Sequence, residues 1–124
     1  MYLLDTSVLL LWLEGNKRLP MRVRRMLDES AHPIYVSAAT IWEISIKRSI
    51  GKLKIADSFF EDLHSSQFIE LPVSFVHAKK VADLPNIHRD PFDRLLIAQA
   101  IIEKLTLITS DKYVFQYQIE TLKV

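Results

Sequence analysis

Apolar residues recur along the chain in short runs and helical stripes, separated by polar clusters carrying Gly, Pro, Asn or Asp. Residues 2–5 read as a short apolar strand, and Thr6 to Leu13 as a helix that stops at Glu14-Gly15-Asn16. Pro20 fits the first turn of a second helix, running to about Glu29. Ile34-Tyr35-Val36 predicts a strand, and Ser37 stands where it can cap a helix over Ala38 to Ile50, closed by Gly51. Asp57 or Ser58 caps a further helix to about Ser66, Phe68 to Leu71 reads as a strand ahead of Pro72, and residues 75–84 read as helical. Asn86 to Arg89 is loop, Asp90-Pro91 opens a helix to Lys104, and strands are expected at Thr106 to Thr109 and Ile119 to Leu122.

Strands thus alternate with helices, which predicts an α/β fold with a mainly parallel sheet of four to five strands and helices on both faces. In such sheets ligands bind beyond the carboxyl ends of the strands. That rule directs attention to the acidic residues at those ends.

Composition narrows the classes. A length of 124 residues predicts one domain, 1–124, and 49% apolar residues suffice for a core. The absence of cysteine excludes disulfides, thiolate zinc sites and thiol catalysis, and fits a cytoplasmic location. Met1-Tyr2-Leu3-Leu4-Asp5 has no basic lead into an apolar run, so neither a signal peptide nor a membrane span is expected. With 16 basic and 15 acidic residues the net charge is +1, so any nucleic-acid contact must come from charge placement. The cluster Lys17, Arg18, Arg22, Arg24 and Arg25 is equally well a solvated helix face.

Four carboxylates stand out, each with an ordinary structural explanation. Asp5 ends the first strand among apolar neighbours, where it must be paired, metal-bound or a helix cap. Glu43 lies at the edge of an apolar stripe with Ala39, Ile46 and Ile50, yet a surface pair with Lys47 at i+4 also accounts for it. Asp93 shares a stripe with Ile97, Ala100 and Ile101, although Asp90 as cap, Pro91 and Asp93 simply make a good helix start. Asp111 follows the strand Leu107-Ile108-Thr109 and can open a turn. Taken together, four carboxylates converging on one sheet edge repel unless a cation sits among them, and all-oxygen ligation suits Mg²⁺ or Mn²⁺.

The order of motifs resembles the PIN domains, specifically VapC-like toxins of bacterial toxin–antitoxin pairs. The matching pieces are Leu3-Leu4-Asp5-Thr6-Ser7, Ser37-Ala38-Ala39-Thr40-Ile41-Trp42-Glu43-Ile44, the run from His88 to Ala100 containing Arg89-Asp90-Pro91-Phe92-Asp93-Arg94, and Leu107-Ile108-Thr109-Ser110-Asp111. They span almost the whole chain in order. The resemblance implies a three-layer α/β/α fold and an acidic quartet at Asp5, Glu43, Asp93 and Asp111. It also implies Mg²⁺ or Mn²⁺, an RNA substrate, homodimerisation and a small antitoxin that blocks the site.

Around the quartet, Thr6, Ser7 and Thr109 can hydrogen-bond the carboxylates, with helix capping the alternative for the first two. Asp90 is cap, supporting group or ligand. His88 is read as a loop anchor or RNA contact, and Lys47, Arg89, Arg94 and Lys112 as phosphate contacts. The aromatics, among them Trp12, Trp42, Phe59, Phe60, Phe68, Phe75, Phe92 and Phe115, are read mostly as core. Two rival functions remain: a PIN-like scaffold that binds protein or RNA without catalysis, and a phosphoryl-signalling domain modified at Asp5. The second lacks an acidic partner two residues after Asp5.

Overall fold

The computed structural model describes residues 1–124. A five-stranded, wholly parallel sheet has the order β3-β2-β1-β4-β5. Its strands are β1 (Tyr2–Leu4), β2 (Ile34–Ser37), β3 (Ile69–Leu71), β4 (Thr106–Thr109) and β5 (Thr121–Lys123). The helices are α1 (Thr6–Leu13), α2 (Met21–Glu29), α3 (Ala38–Ser49), α4 (Phe59–His64), α5 (Phe75–Lys80) and α6 (Pro91–Glu103). No helix is long and apolar enough to cross a membrane.

Strand periodicity divides the core into two. Leu3 and Leu107 face one side, packed with Leu96, Ile97 and Ala100 of α6. Their neighbours Leu4 and Ile108 face the other, packed with Val8 and Leu9 of α1 and Val23 and Leu27 of α2. This is the three-layer α/β/α arrangement, and it explains why the central strands read as continuous apolar runs rather than alternating ones.

The chain builds the sheet outward from β1 to β3 and then crosses to β4 on β1's other side. The order therefore reverses between β1 and β4, where Leu3 pairs with Leu107 and Leu4 with Ile108. Adjacent strands whose connections leave in opposite directions open a crevice at their carboxyl ends. Asp5 and Thr109 stand at its mouth.

Several boundaries differ from expectation. The segment 75–84 is α-helical only to Lys80 and tightens into a 3₁₀ turn at Val81–Asp83. Pro85 forces Leu84 out of the helical region, to ψ 145°. The last strand begins at Thr121, because Ile119 closes a turn onto the Tyr117 carbonyl and packs against the core. The stripe assigned to α3 is rotated: Ala39, Thr40, Glu43 and Ile44 are buried while Ile50 is 59% exposed. Three aromatics assigned to the core are at the surface, Trp42 at 60%, Phe60 at 38% and Phe75 at 95% exposure.

Buried polar contacts fasten α6 to its neighbours. Gln99 is fully buried and accepts a 2.6 Å bond from Ser37 Oγ at the start of α3. Its amide reaches the Pro72 carbonyl after β3 (3.3 Å). This tie fixes the relative placement of the two helices that carry Glu43 and Asp93.

Candidate active site

Asp5 is held from three sides. Its Oδ1 accepts from the Val8 amide (2.8 Å) and Ser7 Oγ (3.0 Å), so it caps α1. Its Oδ2 accepts from Thr109 Oγ1, reaching across from β4. The side chain is both cap and crevice-lining group, since one oxygen serves the helix and the other faces β4.

Glu43 is 4% exposed on α3. Thr6 Oγ1 donates to its Oε1 at 2.7 Å, and Lys47 Nζ lies 2.6 Å from Oε2. The i+4 pair with Lys47 therefore forms, but inside the cleft. Hydrogen bonding to Glu43 raises the Lys47 pKa, keeping that amine charged.

Asp90 caps α6, accepting from the amides of Phe92 (2.9 Å) and Asp93 (3.1 Å). The cap leaves the Asp93 carboxylate free to face inward. Asp111 opens a turn, accepting from the Tyr113 amide at 2.8 Å, while its own amide bonds Thr109 Oγ1 at 3.0 Å. Thr109 is thus shared by two of the four acids.

These segments enclose a cleft of about 220 Å³ whose lining includes Asp5, Glu43, Asp90, Asp93 and Asp111, with Lys47 the one cationic side chain among them. Thr6, Ser7 and Leu10 complete the wall. Asp93 is pushed up to about 8, first by burial and then by the charges of Asp90, Asp111 and Asp5. Burial also raises Asp5, against the lowering effect of its bonds to Thr109, Val8 and Ser7. A carboxyl held protonated near neutral pH, as Asp93 is, marks a site short of positive charge. The oxygen-rich lining is of the kind that suits a hard divalent cation. Of its acids, Asp93 and Asp111 bring donor atoms within 4.8 Å of each other together with His88. The oxygens of Asp5 are engaged by Ser7, Val8 and Thr109, and those of Glu43 by Thr6 and Lys47.

The flanking residues separate. Arg89 and Lys112 are exposed near the cleft, Lys112 lying 5.3 Å from the Tyr113 ring centroid. Arg94 turns away. Its guanidinium donates to the carbonyls of Pro85 (2.8 Å), Val81 (3.3 Å) and His88 (3.4 Å), and to Tyr117 Oη (3.0 Å). With both terminal nitrogens bonded to this loop and to Tyr117, Arg94 staples the segment before α6 rather than facing the acidic cleft, unlike its expected placement as a phosphate contact. His88 is inside: its side chain is 9% exposed, with Nδ1 2.7 Å from Tyr117 Oη. The bracing tyrosines, Tyr113 and Tyr117, carry no motif signal. Only their closeness in the fold reveals them.

The PIN domain family model matches residues 2–119 of the chain. A comparison with curated protein sequences yields no match. Among solved structures, VapBC2 from Rickettsia felis, bound to a DNA fragment from its promoter, superposes with TM-score 0.75 at 16% identity, over 98% of this chain and 97% of that one. DNA-bound VapBC from Salmonella typhimurium gives 0.74 at 14% identity, over 98% and 96%. FitAcB from Neisseria gonorrhoeae gives 0.70 at 23% identity, over 99% and 97%.

Proposed function

The chain belongs to the PIN domain family, and from that premise we propose that it is a single-domain, metal-dependent ribonuclease acting as the toxin of a toxin–antitoxin pair. The observation that carries this reading is the convergence of Asp5, Glu43, Asp93 and Asp111, from four separate segments, on one cleft with a single lining cation. Metal-assisted hydrolysis of a phosphodiester needs a held cation, a positioned water and a way to bind the anionic chain. Each has candidate residues here.

Asp5 and Asp93 would be the main ligands of Mg²⁺ or Mn²⁺, with Glu43 and Asp111 completing the set or orienting the attacking water. The ion would supply Lewis-acid polarisation and activation of water. Thr6 orients Glu43, and Thr109 with Ser7 orients Asp5. Lys47, Arg89 and Lys112 offer positive charge to the RNA backbone around an otherwise repulsive site.

Partners follow from the neighbours and the surface. A further similar structure, with TM-score 0.67 at 18% identity, is described as a toxin–antitoxin complex from Klebsiella pneumoniae. This chain carries an apolar groove of about 380 Å³ lined by residues that include Ile41, Phe60, Leu63, Phe68 and Ile69, suited to the apolar face of an antitoxin helix. Phe75, at 95% exposure, and Val76, at 58%, form a separate apolar patch suited to a second copy of the chain.

The test is cleavage of a labelled mixed RNA pool by purified, antitoxin-free protein, with Mg²⁺, with EDTA, and with Asp93→Asn. Cleavage that requires both metal and Asp93 supports the nuclease. Folded protein that binds metal yet leaves every RNA intact would instead favour a silent PIN scaffold.

A further inference from the structure

One polar atom at the cleft is unexplained by the four carboxylates. His88 Nε2 is buried and makes no hydrogen bond. It lies 3.5 Å from Asp93 Oδ2, beyond a good bond length for this pair. Buried ring nitrogens without partners are rare and require an explanation. Donor atoms of His88, Asp93 and Asp111 all fall within 4.8 Å of one another.

We propose that His88 is a nitrogen ligand to the divalent ion of the acidic cleft, alongside Asp93 and Asp111, and that it tilts the site towards Mn²⁺ over Mg²⁺. The inference rests on the reading of the cleft as a metal site.

The imidazole is prepared for that role. A ligating Nε2 must present its lone pair, so the proton resides on Nδ1, which then donates to Tyr117 Oη at 2.7 Å. Tyr117 Oη also accepts from Arg94 Nη1 at 3.0 Å, leaving a second lone pair for His88. A ring nitrogen fixed by an outer hydrogen bond while its opposite nitrogen points at a cation site is the usual setting of a ligating histidine. The ring plane is fixed as well. Tyr113 stacks on it at 5.6 Å and 13°, and Tyr117 meets it edge-on at 5.5 Å and 69°. The Arg94 staple holds the backbone of the same loop through the His88 carbonyl.

Donor chemistry sets the selectivity. Mg²⁺ prefers oxygen and keeps its waters, whereas Mn²⁺ binds more tightly to nitrogen-containing sites. A single imidazole among carboxylates therefore strengthens Mn²⁺ binding more than Mg²⁺ binding.

The test is pulsed electron paramagnetic resonance of the full chain loaded with Mn²⁺, with and without ¹⁵N-labelled histidine. The expected result is directly bonded ¹⁴N modulation that changes to the ¹⁵N pattern on labelling. His88→Asn retains a polar group towards Tyr117 and lacks the Nε2 atom. It should lose the modulation and lower the Mn²⁺-to-Mg²⁺ affinity ratio by about tenfold. Mn²⁺ bound in an Asp93-dependent manner without nitrogen coupling overturns the inference and leaves the nuclease reading intact. Nitrogen coupling that persists in His88→Asn also overturns it. Failure of both Mn²⁺ and Mg²⁺ to bind at the cleft overturns the inference and the metal-dependent reading together. The wild-type spectrum decides the question even if the variant folds poorly.

Discussion

Thr109 Oγ1 donates to Asp5 Oδ2 across a sequence separation of 104 residues, linking the carboxyl ends of the two central strands. The bond holds a fully buried hydroxyl against a nearly buried carboxylate at the point where the strand order reverses.

Thr109→Val preserves shape and removes that donor. It also removes the acceptor for the Asp111 amide. Leaving buried polar groups unsatisfied costs about 1–3 kcal/mol, so the melting midpoint in urea should fall accordingly. Loss of the orienting bond should weaken divalent-metal binding by about 10–100-fold, read by calorimetric titration. Wild-type metal affinity in this variant would show that Asp5 needs no help from β4.

Arg94 and Arg89 lie five positions apart and should behave differently. Arg94→Ala strips the bonds from the Val81, Pro85 and His88 carbonyls and from Tyr117. Stability should drop by about 2–3 kcal/mol, while the salt dependence of RNA binding stays unchanged. Arg89→Ala should leave stability alone and reduce the slope of log affinity against log salt by about 1. The opposite pattern would return Arg94 to the proposed set of RNA contacts.

Lys104 ends α6 in the left-handed region, at φ 56° and ψ 48°, with its side chain exposed. A side-chain-bearing residue is strained there, and Gly relieves that strain at some cost in unfolded-chain entropy. Lys104→Gly should raise stability by about 0.5–1 kcal/mol in thermal melts and leave metal binding unaltered. A destabilised variant would mean the Lys104 side chain contributes something its geometry hides.

Much of this was legible in the sequence because the informative features are local. The runs ending in Asp5 and Thr109, the Ser37 cap and the Asp90-Pro91 helix start each fix an element from a few adjacent residues. Strand ends drew attention to Asp5 and Asp111 and a helix stripe to Asp93, whereas the stripe assigned to Glu43 was rotated and the quartet as a set was what the family resemblance implied. What stayed hidden depends on distant pairings. No local pattern says that Arg94 donates to a loop nine residues earlier and to a tyrosine 23 residues later. Nor does one say that Tyr113 and Tyr117 pin His88. The exposed aromatics Trp42, Phe60 and Phe75 failed as core because hydrophobicity alone does not say which surface a partner covers.

Asp93 provides the pH prediction. Its pKa in the folded, metal-free chain is about 8, against an ordinary value of 3.8. Below the ordinary value both states hold the proton and there is no penalty. As pH rises towards 8 the unfolded chain releases a proton that the folded chain retains, so stability is lost across that window. The raised Asp5 acts in the same direction. Metal-free protein should therefore melt at progressively lower temperature from about pH 5 to about pH 8. Mg²⁺ or Mn²⁺ should reverse the trend, by about 2.7 kcal/mol at a hundredfold excess over the dissociation constant. Binding near pH 7 should expel a proton, visible as a dependence of the calorimetric heat on the buffer's ionisation enthalpy. Asp93→Asn removes the titrating group and one like charge. It should flatten the pH profile, melt above wild type at pH 8 without metal, and lose most of the metal response. If wild type and Asp93→Asn gave superimposable melting profiles across this range, crowding of charge in the cleft would not be a reason for it to take up a cation.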